Sequence, residues 1–148
     1  MSSIFGLCAF PSQSAYCAAK FAVRGYTEAV RQELHGTGVR AITVHPGGVR
    51  TPITRNGRVR VDPLGDPDLE MFHRNFTAIA FTSPDKAAEA IHRGVAAGRA
   101  RIMVGLDSRL AYAGATLMPT RYADIIRVVA PLARAGLRRQ SWRDRHRG

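Results

Sequence analysis

Two short apolar runs, Val39-Arg40-Ala41-Ile42-Thr43-Val44 and Ala100-Arg101-Ile102-Met103-Val104, limit what this chain can fold into more than any other feature. Both read as short, mostly buried strands, and the first ends at the turn-forming His45-Pro46-Gly47-Gly48. Each follows a segment of helical periodicity. Ala15, Ala18, Ala19, Ala22, Val23, Tyr26, Ala29, Val30 and Leu34 recur at three- and four-residue intervals, predicting a helix to about His35 that Gly36-Thr37-Gly38 stops. Ser12 or Ser14 is placed to cap its start. Before the second run, Ser83-Pro84-Asp85 opens a helix over 85–97, with Ala87, Ala88, Ala90, Ile91, Val95 and Ala96 on one face. Helix, strand, helix, strand with short buried strands predicts a parallel α/β sheet, with helices dominant.

Further helices are expected around Asp66–Ala80, over Leu110–Leu117 and over Tyr122–Leu137, with Pro119 between the last two and Pro131 kinking or ending the second. The chain has 148 residues, 45% of them apolar, enough for one domain with a core. No apolar run has transmembrane length and the N-terminus lacks a signal-peptide layout, so a soluble cytoplasmic protein is the expectation. Cys8 and Cys17 fit no metal spacing and read as free thiols; His35, His73, His92 and His146 are scattered and form no metal set. His45 reads as a strand-end residue. The net charge is +11, concentrated beyond residue 100, where ten basic side chains face three acidic ones. Arg127, Arg134, Arg138, Arg139, Arg143, Arg145 and Arg147 interleave there with Ile125, Ile126, Val129, Leu132 and Leu137. Such a segment suits an anionic membrane surface, nucleic acid or simply solvent. No aromatic stacking platform accompanies it, so no nucleic-acid partner is expected.

The chemistry concentrates near the N-terminus. Tyr16 and Lys20 lie four apart in Ser14-Ala15-Tyr16-Cys17-Ala18-Ala19-Lys20 and share a helix face. An ammonium beside a phenol favours the phenolate and suits it to proton transfer. Of 22 basic residues only two are lysines, and Lys20 stands where a compact ammonium suits better than a guanidinium fork. Upstream lies Ser2-Ser3-Ile4-Phe5-Gly6, and downstream Val44-His45-Pro46-Gly47-Gly48-Val49-Arg50-Thr51.

Serine pair, Tyr-x-x-x-Lys and Pro-Gly-x-x-x-Thr, in this order and spacing, resemble the catalytic half of the short-chain dehydrogenase/reductase family. The close match runs from Ser2 to about Ile53, and a looser one in element order to about Gly105. The resemblance implies the C-terminal part of a Rossmann-type doubly wound parallel sheet, left incomplete here. Residues 1–118 would form a partial catalytic domain and 119–148 a basic helix and tail.

By the same resemblance Tyr16 would be the general acid/base and Lys20 its electrostatic partner and a ligand to the nicotinamide ribose. Ser3 would bind the substrate oxygen; Ser2 competes for that role, and the family's thirteen-residue offset from serine to tyrosine selects Ser3. Pro46, Gly47, Gly48, Val49 and Thr51 would line the nicotinamide side of NAD or NADP. The substrate would be a small alcohol or carbonyl compound, and the family commonly pairs the Tyr16 helix across a homo-oligomer interface. Phe72, Phe76, Ile79 and Phe81 fall where the family places its variable substrate lid, and equally suit core packing. Arg50, Arg55, Arg58 and Arg60 could grip an anion or form a solvated loop.

The family's Gly-rich phosphate turn, its Asn-Asn-Ala-Gly segment and the residue that selects between the two cofactors do not occur in this sequence. An N-terminally truncated enzyme is therefore expected, marginally stable or dependent on association. Two other readings are open: an inactive remnant serving as an interaction module, and a basic protein of membrane surfaces or nucleic acid.

Overall fold

A computed structural model describes residues 1–57, 73 and 76–128. A 3-10 turn (Ile4–Gly6) precedes the long helix α1 (Ser14–Glu33), the strand β1 (Thr43–Pro46) and the single-turn helix α2 (Ile53–Asn56). Helix α3 (Pro84–Ala96), strand β2 (Arg101–Val104) and helix α4 (Leu106–Leu117) follow, and the chain is helical again over 122–128. The two strands pair in parallel, Thr43 opposite Arg101 and Pro46 opposite Val104. This is a helix-dominant α/β fold with a small parallel sheet, as the strand spacing predicts.

The first strand sits later than its apolar run. Val39 is 61% exposed and pairing begins only at Thr43, while Pro46, expected in the turn, completes the strand after His45. The partner sets this register. Thr43 N donates to Ala100 O (3.2 Å) and Gly47 N to Val104 O (2.9 Å), so the odd-numbered residues bond to β2. Pro46, an even-numbered position, faces the other edge, where its missing N–H leaves no ladder bond unmade. On that edge Ser2 N donates to Val44 O at 2.9 Å, laying the serine pair beside β1.

Helix α3 starts where its signals place it. Ser83 is the N-cap, its hydroxyl accepting from Lys86 N (3.3 Å), and Pro84 and Asp85 occupy the first turn. Its inner face covers β2, with Ala87, Ile102 and Val104 buried and Val44, Val49, Ala90 and Ile91 packed around them. Helix α1 lacks the expected serine cap: Ser12 takes a left-handed conformation (φ 66°), Ser14 is already helical, and Gln13 precedes the helix without a side-chain bond. Glu28 ties α1 to the sheet, accepting from Arg24 (3.1 Å) on its own helix and from Arg101 on β2. Helix α4 begins four residues before the predicted Leu110, which brings Asp107 and Ser108 into its first turn.

Of the helix expected around Asp66–Ala80, residues 76–79 are helical and Phe72 lies outside the described residues. Phe81 is not helical but 77% exposed, next to Thr82, which bridges to Val49. Arg58, Arg60 and residues 129–148, with most of the arginine-rich tail, also lie outside the described residues. Among those described, no helix is long and apolar enough to cross a membrane.

Candidate active site

The serine pair is held from three sides. Ser2 is buried; its amide bonds to β1 and its hydroxyl donates to Lys20 O on α1 at 2.9 Å. Ser3 is also buried. Its hydroxyl accepts from Phe5 N at 3.3 Å, capping the 3-10 turn, and its own proton is left for another acceptor. The two neighbouring hydroxyls therefore differ in kind. Ser2 spends its proton on the backbone beneath Lys20, and Ser3 keeps one to donate.

Tyr16 and Lys20 occupy one face of the first turns of α1, with Lys20 Nζ 5.4 Å from the centroid of the Tyr16 ring. Phe5, two residues past Ser3, meets that ring edge-on at 5.4 Å and 78°. Phe5 thereby couples the serine turn to the tyrosine by aromatic contact. Tyr16 is 45% exposed, and among the described residues no hydrogen bond joins the side chains of Ser3, Tyr16 and Lys20 to one another. Phe5 touches both Ser3, through its amide, and the Tyr16 ring, and Lys20 approaches that ring as well.

Pro46 to Thr51 leaves the carboxyl end of β1, the end where open α/β sheets bind ligands. Gly48 O accepts from Thr82 N (3.1 Å) and Arg50 N donates to Thr82 O (2.8 Å), so Val49 forms a parallel bridge with Thr82. In that geometry Val49's own N–H and C=O face away from Thr82, and neither has a hydrogen bond among the described residues. A side chain on Gly48 would strike the Ile79 carbonyl at 2.8 Å, and one on Gly47 would strike the Asp107 carboxylate. Gly48 is thus required by the close approach of backbone, whereas a side chain at Gly47 would displace the Asp107 carboxylate.

Three residues outside the predicted set complete the site. Asp107 Oδ2 accepts from Gly48 N at 2.6 Å and Oδ1 from Ser108 N at 2.9 Å. Ser108, fully buried, donates its hydroxyl to His45 O at 2.7 Å. His45, also fully buried, places Nδ1 3.0 Å from Ser3 O. A carbonyl only accepts, so Nδ1 carries a proton, and Nε2 has no partner among the described residues. Burial pushes the His45 imidazole below its ordinary value of 6.5, against the opposing pull of the Ser3 carbonyl. His45 stands near the end of β1, where a strand-end residue is expected, and it also links β1 to the serine turn. Its place next to the serine pair comes from strand pairing, which sequence spacing does not reveal.

Arg50 and Arg55, with His73, Thr77 and Ala78, line an open cavity of about 420 Å³. None of Ser3, Tyr16 and Lys20 borders it. Arg50 also donates from Nε to Ala80 O at 3.4 Å, a bond that holds the turn to the 79–82 segment.

Residues 1–61 match the sequence model of the short chain dehydrogenase family. SadH of Mycobacterium tuberculosis, a protein named as an oxidoreductase, is 44% identical over 130 residues, covering 85% of this chain and 45% of SadH. A trans-4-hydroxycyclohexanecarboxylate dehydrogenase of Sinomonas cyclohexanicum is 44% identical over 54 residues, 36% of this chain and 21% of that protein. A protein of Xanthobacter autotrophicus, named an inactive 2-(S)-hydroxypropyl-CoM dehydrogenase, is 38% identical over 89 residues, covering 60% and 38% of the two chains. The chain spans about half the length, or less, of the curated relatives it matches. With the parallel α/β core and the serine turn set against the Tyr16 helix, these matches place the chain in the short-chain dehydrogenase/reductase family.

Proposed function

We propose that this chain carries the proton-transfer half of an NAD(P)-dependent oxidoreductase that interconverts a small alcohol and its ketone or aldehyde. The observation that carries this reading is the placement of Lys20 Nζ 5.4 Å from the Tyr16 ring, with Phe5 linking that ring to the Ser3 turn. In it, Tyr16 gives its phenolic proton to a carbonyl oxygen during reduction and takes one from a hydroxyl during oxidation. The Lys20 ammonium stabilises the phenolate formed in the first direction. Ser3 donates its hydroxyl proton to the same substrate oxygen and steadies the negative charge that develops there.

The residues present also fit the near end of a nicotinamide cofactor. A carboxamide needs a donor and an acceptor side by side, and Val49 offers an unbonded N–H and C=O on one edge of its bridge. The Thr51 hydroxyl lies two residues on, and Lys20 provides an ammonium for a ribose hydroxyl. Gly47 and Gly48 support this turn from behind. The cofactor supplies the hydride when bound, and the protein supplies position and charge. Dehydrogenase names among the relatives support the reaction class, and a homo-oligomer paired through α1 is part of the same proposal.

Titrating the 148-residue chain with NADH and NADPH, followed by nicotinamide fluorescence, tests the reading. Saturable enhancement with at least one of them is expected. Tyr16→Phe should keep that binding and lower oxidation of a secondary-alcohol probe such as cyclohexanol by about 10²–10⁴-fold. A chain that responds to neither nucleotide would instead favour the non-catalytic interaction module, a reading in keeping with the relative named inactive.

A further inference from the structure

We propose that Asp107 and Ser108, consecutive residues in the first turn of α4, are positioning residues that set the two halves of this site separately. Asp107 fixes the turn that receives the cofactor, and Ser108, acting through His45, fixes Ser3. The inference rests on the cofactor reading above.

The geometry divides cleanly between the two side chains. Asp107 sits against Gly47 and takes the Gly48 amide at 2.6 Å, a charge-assisted bond that aims the next peptide, that of Val49. Nothing else among the described residues bonds the Gly48 amide. The carbonyl of the same residue is held by Thr82 N, so the Gly48 backbone is gripped from α4 on one side and from the 79–82 segment on the other. Releasing the amide frees the orientation of the Val49 edge while leaving the sheet intact, because the Gly47 bond to Val104 O is separate.

Ser108 works in the opposite direction along β1. Its hydroxyl holds His45 O at 2.7 Å, and the His45 ring holds Ser3 O at 3.0 Å. All the side chains in this relay are buried, Ser108 and His45 fully, so water cannot readily replace a missing link. Ser3 O also accepts from Gly6 N at 3.0 Å, closing the turn whose cap is the Ser3 hydroxyl. A shift of His45 therefore moves the turn that aims that hydroxyl. The Ser2 amide remains tied to Val44 O, so the strand neighbourhood survives the loss.

The test uses the 148-residue chain and two readouts: coenzyme affinity by NADH and NADPH fluorescence, and backbone amide exchange resolved to residues 1–8 and 44–51. Asp107→Ala should weaken coenzyme binding about tenfold or more and speed exchange within 44–51, the expected scale for a lost hydrogen bond to a charged group. Asp107→Asn, which keeps an acceptor oxygen for the Gly48 amide, should recover part of both effects. Ser108→Ala should leave coenzyme affinity within about twofold of the unaltered chain and speed exchange within 1–8.

Equal losses of affinity in Asp107→Ala and Ser108→Ala, both tracking a fall in melting temperature, would reduce the pair to ordinary structural residues and overturn the proposal. Asp107→Ala binding coenzyme as tightly as the unaltered chain would overturn it while leaving the cofactor reading intact. If the unaltered chain binds neither nucleotide, the cofactor reading fails first and the positioning roles fall with it.

Discussion

At the residue scale, His45 shows how a buried polar group in a small α/β core sets a pH limit on the fold. Burial disfavours its charged form, the Arg101 and Arg24 charges add to that effect, and the Ser3 carbonyl and Glu28 oppose it; the balance lies below the ordinary value of 6.5. The unfolded chain takes up this proton near pH 6.5 and the folded chain only at lower pH. Between those points the unfolded state binds more protons, so stability is complete above pH 6.5 and falls as the pH drops through and below it. The melting temperature should therefore be lower at pH 5.5 than at 7.5, and His45→Asn should flatten that difference. Equal pH dependence with and without His45 would contradict this. Glu28 titrates in a separate window. Burial alone would raise its pKa, but Arg24 and Arg101 outweigh burial and hold it below 4.5, so its contribution is lost only at more acid pH. Cys8 makes a third case: burial, then the neighbouring Cys17, push its thiol up to about 11. At pH 7 only about one such thiol in 10⁴ is ionised. Iodoacetamide should leave Cys8 largely unmodified in the native chain and label it on unfolding.

At the element scale, the β1 exit turn is the most demanding piece of local structure. Gly48→Ala would press a Cβ to within 2.8 Å of the Ile79 carbonyl and 3.0 Å of Ala80 Cα, both backbone atoms with little freedom to yield. Overpacking of that kind destabilises by about 1–3 kcal/mol, and chemical denaturation of Gly48→Ala should read a loss in that range. Unchanged stability would mean that the 79–82 segment moves aside easily. The elements also show what sequence alone conveys. Helix α3 was legible because Ser83, Pro84 and Asp85 are local signals, and its cap needs nothing beyond four consecutive residues. The pairing of Tyr16 with Lys20 was legible for the same reason, helical spacing being a local property. The register of β1 was not. It depends on where β2 ends and on which edge can tolerate Pro46, both facts about a segment more than fifty residues away. The contacts of Asp107, Ser108 and His45 are illegible for the same reason, since each bonds to a partner at least 42 residues distant in sequence. The missing cap of α1 has a local cause that composition hides: Ser12 turns left-handed and leaves Gln13 at the helix entrance.

At the scale of the whole molecule, the core described here is slight for its duties. The buried apolar residues among those described are Leu7, Cys8, Cys17, Ala80, Ala87, Ile102 and Val104, several of them small, and the largest fully buried side chains are His45, Val104 and Ser108. Among the described residues two parallel strands carry the sheet, an architecture that elsewhere depends on helices covering both faces and on further strands at its edges. Large apolar side chains remain outside, with Tyr26 at 74%, Leu106 at 70%, Leu110 at 63% and Leu117 at 79% exposed. Leu106, Leu110 and Leu117 recur at intervals of four and seven along α4 and so share one face, while Tyr26 lies on α1. Apolar surface at this density favours burial by association over solvation as a monomer. The expected outcome is a melting temperature that rises with protein concentration across about a hundredfold dilution series, because association with the folded state stabilises it by mass action. Sedimentation over the same series should show species larger than a 16.1 kDa monomer. Replacing Leu110 and Leu117 by glutamine tests the cause. If α4 contributes to association, the double variant should sediment as a smaller species and lose its concentration dependence, whereas Tyr26→Gln would do so if the contact runs through α1. A monomer that melts cooperatively at one temperature throughout the series would show that this small core is sufficient by itself.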